Sequence, residues 1–172
     1  MKMRVFFSWQ NETNRLGFNN KKLIFESICK ACKEIELKGQ LKDIDFEVQE
    51  GMRYRSGSEI VESALKEQIN QCDIFVGDIT VGLHLNKIRK FLKKISPNRY
   101  RQAPNTNVTQ EIGFSLNKYS EFDKQVILLY NKFNGDPEED NSLIPFDLRA
   151  HRFPITFFMD KKSDFEKVKK NW

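Results

Sequence analysis

One glutamate and a set of polar and aromatic residues fall where the sequence predicts the ends of β-strands. Glu111 lies early in a predicted helix that opens at about residue 105. A carboxylate beside amides, arginines and an aromatic ring suits the cleavage of an N-glycosidic bond, because the carboxylate stabilises the cation that develops on the sugar. The candidate binding residues at the ends of the first three strands or at the start of the helix are Ser8, Trp9, Gln10, Arg53, Arg55, Asp78 and Asn107.

Motifs of several other enzyme classes are absent from the sequence. It contains no G-x-G-x-x-G, no G-x-x-x-x-G-K-[ST] and no G-x-S-x-G. His84 and His151 are the only histidines and have no partner at metal-ligand spacing, so we predict no metal site. Cys29 and Cys32 have C-x-x-C spacing in the middle of a helical pattern, which favours core-facing residues over a redox pair. We expect no cofactor, and a nucleotide that binds would do so as the substrate.

Strand and helix patterns alternate along the whole chain. The predicted strands cover residues 4–9, 44–48, 73–79, 125–130 and 155–159, and the predicted helices include residues 19–37 and 107–119. Five strands separated by helical crossovers predict an α/β fold with a five-stranded parallel sheet in the flavodoxin-like order 2-1-3-4-5. Such a sheet binds ligands at the carboxyl ends of its strands, between the first and the third. We expect Glu111 to face that crevice and Gly113 to allow a close helix contact.

Length and charge fit one ordinary domain. The 172 residues carry 29 Lys and Arg against 24 Asp and Glu, a net charge of +5. We predict a single domain over residues 1–172 with a basic helical insertion around residues 81–103, which we interpret as a solvated helix face rather than a nucleic-acid surface. No apolar stretch is long enough to cross a bilayer and no secretory signal is visible, so we expect a cytoplasmic protein without a membrane partner.

Four ordered segments, at residues 5–10, 72–78, 105–113 and 145–149, resemble the bacterial TIR-like (Toll/interleukin-1 receptor-like) proteins of anti-phage defence. The resemblance spans about residues 4–158 and implies the same parallel-sheet fold. It implies that Glu111 is the catalytic glutamate and that Phe7, Ser8 and Trp9 begin the nucleotide cleft. Enzymes of this family cleave NAD and release nicotinamide, so the implied substrate is NAD. Self-association through residues 50–57 and a defence-effector partner are also implied.

Three functions stay open on the sequence. The first is an NAD-cleaving TIR-like enzyme, either a glycohydrolase or an ADP-ribose cyclase. The second is a non-catalytic TIR-like interaction or nucleotide-sensing module. The third is a nucleoside 2-deoxyribosyltransferase-like enzyme, which shares a helix bearing Glu-x-Gly and also breaks N-glycosidic bonds. Hydrolysis and cyclisation are not distinguished, because the outcome depends on which nucleophile reaches the ribosyl cation.

Overall fold

Five parallel strands form one sheet in the order β2-β1-β3-β4-β5, as the sequence predicts. The computed structural model describes residues 1–10, 20–39, 41, 43–51, 58–81, 103–118, 125–150, 153–159 and 164–171. The strands are β1 (Lys2–Ser8), β2 (Asp45–Glu50), β3 (Ile74–Asp78), β4 (Val126–Asn131) and β5 (Ile155–Phe157). The helices are α1 (Lys21–Leu37), α2 (Ser58–Gln71), α3 (Thr106–Lys118) and α4 (Phe165–Asn171). Three short 3-10 turns, Lys132–Asn134, Asn141–Leu143 and Phe146–Leu148, lie between β4 and β5.

Helices cover both faces of the sheet, so its central strands bury side chains on each side. Phe6 on β1 belongs to the core beneath α2 and α3, together with Phe75 and Ile112. Its neighbours Val5 and Phe7 belong to the core beneath α1 and α4. Successive strand residues point to opposite faces, so a strand covered on both sides reads as a continuous apolar run.

The sequence of helix α1 explains which of its residues are buried and where the helix ends. Leu23, Ile24 and Ser27 are buried in its first two turns, and at 3.6 residues per turn they lie within about 100° of one another around the helix axis. Gly39 follows the helix with φ +60°, a conformation that glycine adopts without strain. Burial raises the pKa of the Cys29 thiol and raises that of Cys32 to about 11. A redox pair needs lowered thiol pKa values, so the structural interpretation of the C-x-x-C sequence is retained.

Gly113 does not make the close contact that the sequence led us to expect. It is exposed, and among the described residues no atom lies within 4 Å of the position that a Cβ would take. The close approach at this end of the sheet is made instead at Gly51, directly after β2. A Cβ there would stand 3.2 Å from Phe6 Cζ and 3.4 Å from Leu65 Cδ1.

Several predictions from the sequence lie outside the described residues. They are the basic segment 82–102, the loop at residues 52–57 with Arg53 and Arg55, and both histidines. In the part of the chain that the structure does describe, no helix is long and apolar enough to cross a membrane.

Candidate functional site

The carboxyl ends of β1 and β3 are joined by the side chain of Gln10. Its amide nitrogen donates hydrogen bonds to the carbonyl oxygen of Asp78, at 2.8 Å, and to that of Thr80. Its amide oxygen accepts from the backbone N–H of Asn105 at 3.2 Å. Gln10 is 4% exposed. The predicted binding residue therefore uses both N–H donors and one lone pair of its amide oxygen in contacts with the protein, at the point where the crossovers diverge.

Asn105 begins the helix that carries Glu111. Its side-chain oxygen accepts a hydrogen bond from the backbone N–H of Asn107 at 2.9 Å, and its carbonyl accepts from Thr109 N–H at 3.1 Å. An asparagine at this position satisfies backbone donors that the first helical turn leaves unpaired. The Asn107 side chain is exposed in that first turn. Asn107 thus lies on the edge predicted for it, with its backbone used in the cap.

Glu111 is buried at the same end of the sheet, on the face beneath α2 and α3. It is 3% exposed, and its Oε2 atom lies 3.9 Å from the position that a Cβ on Gly51 would take. Phe6 and Leu65 surround that same position, so the surroundings of Gly51 are largely apolar. A carboxylate in such surroundings interacts more strongly with a cation than one in water does. The expected placement of Glu111 at the carboxyl edge is what the structure has.

The predicted cleft residues of β1 separate onto two faces. Ser8 alternates with Phe7 and so shares the face of Phe6, beneath the helix that carries Glu111. Its hydroxyl is buried and has no hydrogen-bond partner among the described residues. Phe7 and Trp9 belong to the core on the α1 face instead. The structure therefore brings Ser8, but not Phe7 or Trp9, to the face of Glu111.

Trp9 is covered by a lysine rather than presented to a ligand. The Lys21 Nζ atom lies 4.0 Å from the centroid of the indole ring and 2.6 Å from Glu50 Oε2. Trp9 itself is 4% exposed. A cation over an aromatic face and an ion pair stabilise this packing together, and they join α1 to the end of β2.

Asp78 belongs to a buried polar network that the sequence did not reveal in full. Its Oδ1 atom accepts hydrogen bonds from the Thr80 hydroxyl at 2.6 Å and from Thr80 N–H at 3.1 Å, and its Oδ2 atom accepts from Asn20 at 3.2 Å. Asn131 donates to Asn20 Oδ1 and to the Met159 carbonyl, each at 2.9 Å. The network ties the ends of β3 and β4 to Met159, two residues after β5, and to Asn20, directly before α1. The sequence signal for Asn131 was a polar residue directly after the most apolar strand.

Burial raises the pKa of Asp78, and hydrogen bonds from Thr80, Asn20 and Gln10 act in the opposite direction. Its carboxyl is 1% exposed and holds the turn that follows β3. Asp78 is thus placed where it was predicted, but its oxygens serve the fold.

No metal-binding cluster of three or more His, Cys, Asp or Glu side chains occurs in the described ranges. The described edge thus holds two buried carboxyl groups: that of Asp78, which accepts hydrogen bonds from Thr80 and Asn20, and that of Glu111, which lies on the same face as the Ser8 hydroxyl.

No protein-family model matches the sequence, and no curated protein matches it. Two solved structures are similar over nearly their whole length. One is a 2-desoxiribosyltransferase from Leishmania mexicana, with 12% identity, a TM-score of 0.42, and coverage of 98% of this chain and 97% of that one. The other is the CMP N-glycosidase BcmB of Clostridium botulinum, with 15% identity, a TM-score of 0.41, and coverage of 98% and 99%.

Structural similarities at these identities and TM-scores do not identify a function. The fold class rests on the observed strand order. Neither structure is described as a TIR protein, so the TIR-like resemblance gains no support from them. The name of the Leishmania mexicana structure corresponds to one of the functions left open by the sequence, a nucleoside 2-deoxyribosyltransferase-like enzyme.

Proposed function

We propose that this chain is an enzyme that cleaves the N-glycosidic bond of a nucleoside or nucleotide, with Glu111 as the carboxylate that faces the sugar. The observation that carries the proposal is the burial of Glu111 at the carboxyl edge of the sheet, with Oε2 3.9 Å from the position that a Cβ on Gly51 would take. Ligands bind at this edge in open parallel sheets.

The reaction needs a negative charge beside the anomeric carbon. The bond from C1′ to the base nitrogen breaks, and its electron pair leaves with the base. The Glu111 carboxylate either stabilises the cation that forms on the sugar or bonds to C1′ through an oxygen. Water, or the nitrogen of a second base, then attacks C1′, and the glutamate is restored as a carboxylate. The apolar side chains near Gly51 strengthen the attraction between carboxylate and cation.

The leaving group sets the substrate class. A nucleobase leaves with an extra electron pair and takes up a proton, whereas the nicotinamide of NAD leaves as a neutral molecule. The NAD-cleaving activity of a TIR-like enzyme and the base exchange of a deoxyribosyltransferase are both members of this reaction class. Candidate substrates are therefore 2′-deoxynucleosides, CMP and NAD.

Base release from these three substrates, followed by chromatography, tests the proposal. We expect Glu111→Gln to lower the rate at least about a hundredfold, since loss of one electrostatic contact to the transition state typically costs this much. The amide keeps the size of the side chain, so no cavity is created. Glu62→Gln is the matched control, because Glu62 is an exposed glutamate of α2 that pairs with Lys66 at 2.7 Å on the surface.

The control should keep the wild-type rate, since exposed ion pairs contribute little. A folded Glu111→Gln variant with wild-type base release would overturn the assignment of Glu111. If the wild-type chain releases a base from none of the three substrates, the proposed reaction class is wrong and the non-catalytic module takes its place. Addition of a free second base to the deoxynucleoside reaction separates transfer from hydrolysis.

A further inference from the structure

Gln10 reaches from the end of β1 to two other elements through one amide group. Its nitrogen donates to the carbonyls of Asp78 and Thr80, at and just beyond the end of β3. Its oxygen accepts from Asn105 N–H, directly before α3. A primary amide has two N–H donors and one carbonyl acceptor, so each kind of group is in use. This leaves the Gln10 side chain committed to protein contacts.

The Asn105 contact bears directly on Glu111. Asn105 caps α3, and Glu111 lies six residues further along the same helix. At 1.5 Å per residue, the glutamate is about 9 Å from the cap along the helix axis. The start of a helix is its least constrained part, because its first N–H groups lack partners within the helix. A side chain that holds the cap therefore fixes where the carboxylate stands relative to β1 and β2.

We infer that Gln10 is a positioning residue for Glu111, which acts by anchoring the first turn of α3 to the ends of β1 and β3. The inference rests on the proposed function for its catalytic consequence. A displacement of about 1 Å at a reacting group can cost about a hundredfold in rate. A buried amide that only stabilised the fold would not affect kcat in this way.

Two substitutions with matched burial separate these roles. Gln10→Met removes all three hydrogen bonds and keeps a side chain of similar length. Asn131→Leu is the control, because Asn131 is also 4% exposed and hydrogen-bonded, but to Asn20, Phe133 and Met159 rather than to α3. Both variants should lose stability, since each gives up several buried hydrogen bonds.

We expect Gln10→Met to lower kcat at saturating substrate by about tenfold to a hundredfold, with KM changed less than about threefold. Asn131→Leu should keep kcat within about threefold of wild type. Equal losses of kcat in the two variants would overturn the inference. A raised KM with unchanged kcat in Gln10→Met would also overturn it, because Gln10 would then contact the substrate.

Amide hydrogen exchange supplies a readout that does not need a substrate. The N–H groups of Asn105, Asn107 and Thr109 should exchange faster in Gln10→Met than in Asn131→Leu, and equal exchange would refute the anchoring. If Gln10→Met does not fold, Gln10→Glu replaces it, since a carboxylate still accepts from Asn105 but cannot donate to the two carbonyls when ionised. Because the carbonyls of Asp78 and Thr80 repel an ionised carboxylate, Gln10→Glu should lose the link between β3 and α3, and a lower kcat and faster exchange are then expected. Wild-type inactivity on the substrate panel would refute the proposed function alone, and the exchange comparison would still decide the anchoring.

Discussion

Alanine substitutions at two glycines test whether crowding beside Glu111 affects activity. A Cβ on Gly51 would stand 3.2 Å from Phe6 Cζ, 3.4 Å from Leu65 Cδ1 and 3.9 Å from Glu111 Oε2. A Cβ on Gly113, two residues from Glu111 on the same helix, would meet nothing within 4 Å in the described parts of the chain. Alanine at the two positions therefore adds the same methyl group with and without contact to the candidate site.

The stability effects follow from these distances. Phe6 is fully buried and stacked on Phe75 with ring centroids 5.7 Å apart, so it has little room to move away from a methyl group at Gly51. Overpacking by this one group should cost about 1 kcal/mol. The φ of Gly51 is outside the left-handed region, so alanine also removes freedom from the unfolded chain, which stabilises by about 0.4–1 kcal/mol. The two effects nearly cancel.

Gly113→Ala should instead raise stability by about 1 kcal/mol, because alanine is the better helix former. For a chain of this length that corresponds to a melting temperature about 2–4 °C higher. Thermal unfolding of both variants measures these differences directly.

The two alanine variants should also differ in activity, which we expect to fall in Gly51→Ala and to stay unchanged in Gly113→Ala. The methyl group of Gly51→Ala crowds Phe6 and Leu65 and stands 3.9 Å from the Glu111 carboxylate, so it should displace the carboxylate and lower kcat/KM at least about tenfold. Gly51→Val should lose more, and Gly113→Ala should keep the wild-type value. Base release from the substrate panel provides the assay. Full activity in a folded Gly51→Ala variant would show that the packing around Gly51 does not set the position of Glu111.

Two further predictions concern buried titratable groups. Burial raises the pKa of Asp78, so the native state keeps its proton at higher pH than the unfolded chain, and the unfolding free energy should fall as pH rises from 3.8 through the native pKa. Asp78→Asn should remove that part of the pH dependence. It should also lower the unfolding free energy by about 1–3 kcal/mol, because its amide N–H groups would face the donors of Asn20 and Thr80. Urea unfolding at several pH values measures both effects. The Cys32 thiol, with a pKa of about 11, should react with iodoacetamide at pH 8 far more slowly in the native chain than in the unfolded one. Rapid labelling of Cys32 in the native chain, measured by mass spectrometry, would contradict its burial.

The fold was predictable because hydrophobic periodicity reports burial, and burial decides how these strands stack. The strand limits were less accurate, since they depend on pairing between distant residues. Strand β2 continues past its predicted end at residue 48 to Glu50, because Glu50 pairs with Phe7. Strand β1 begins at Lys2 rather than at Arg4, because Lys2 pairs with Asp45. Neither partner is visible from the local sequence.

The site was predictable at the level of its edge and less so at the level of individual side chains. The rule for parallel sheets placed Glu111 correctly, since it needs only the order of the elements. The same sequence grouped Phe7 and Trp9 with Ser8, although the two-residue period of a strand already assigns them to opposite faces. The role of Gln10 was out of reach, because its partner Asn105 is 95 residues away.

Hydrogen-bonding capacity separates the polar residues of this edge by role. Gln10 and Asp78 have the side chains that best suit a nucleotide ligand, yet folding uses the amide of one and both carboxylate oxygens of the other. Ser8 differs, since its buried hydroxyl has no partner among the described residues, and an unmade hydrogen bond of this kind costs about 1–3 kcal/mol. The binding assignments of Gln10 and Asp78 remain predictions, and the structure adds that their side chains also join the ends of the strands. Glu111 is buried at the same edge, with its Oε2 atom 3.9 Å from the position that a Cβ on Gly51 would take, so its assignment rests on this placement rather than on unused hydrogen-bonding capacity.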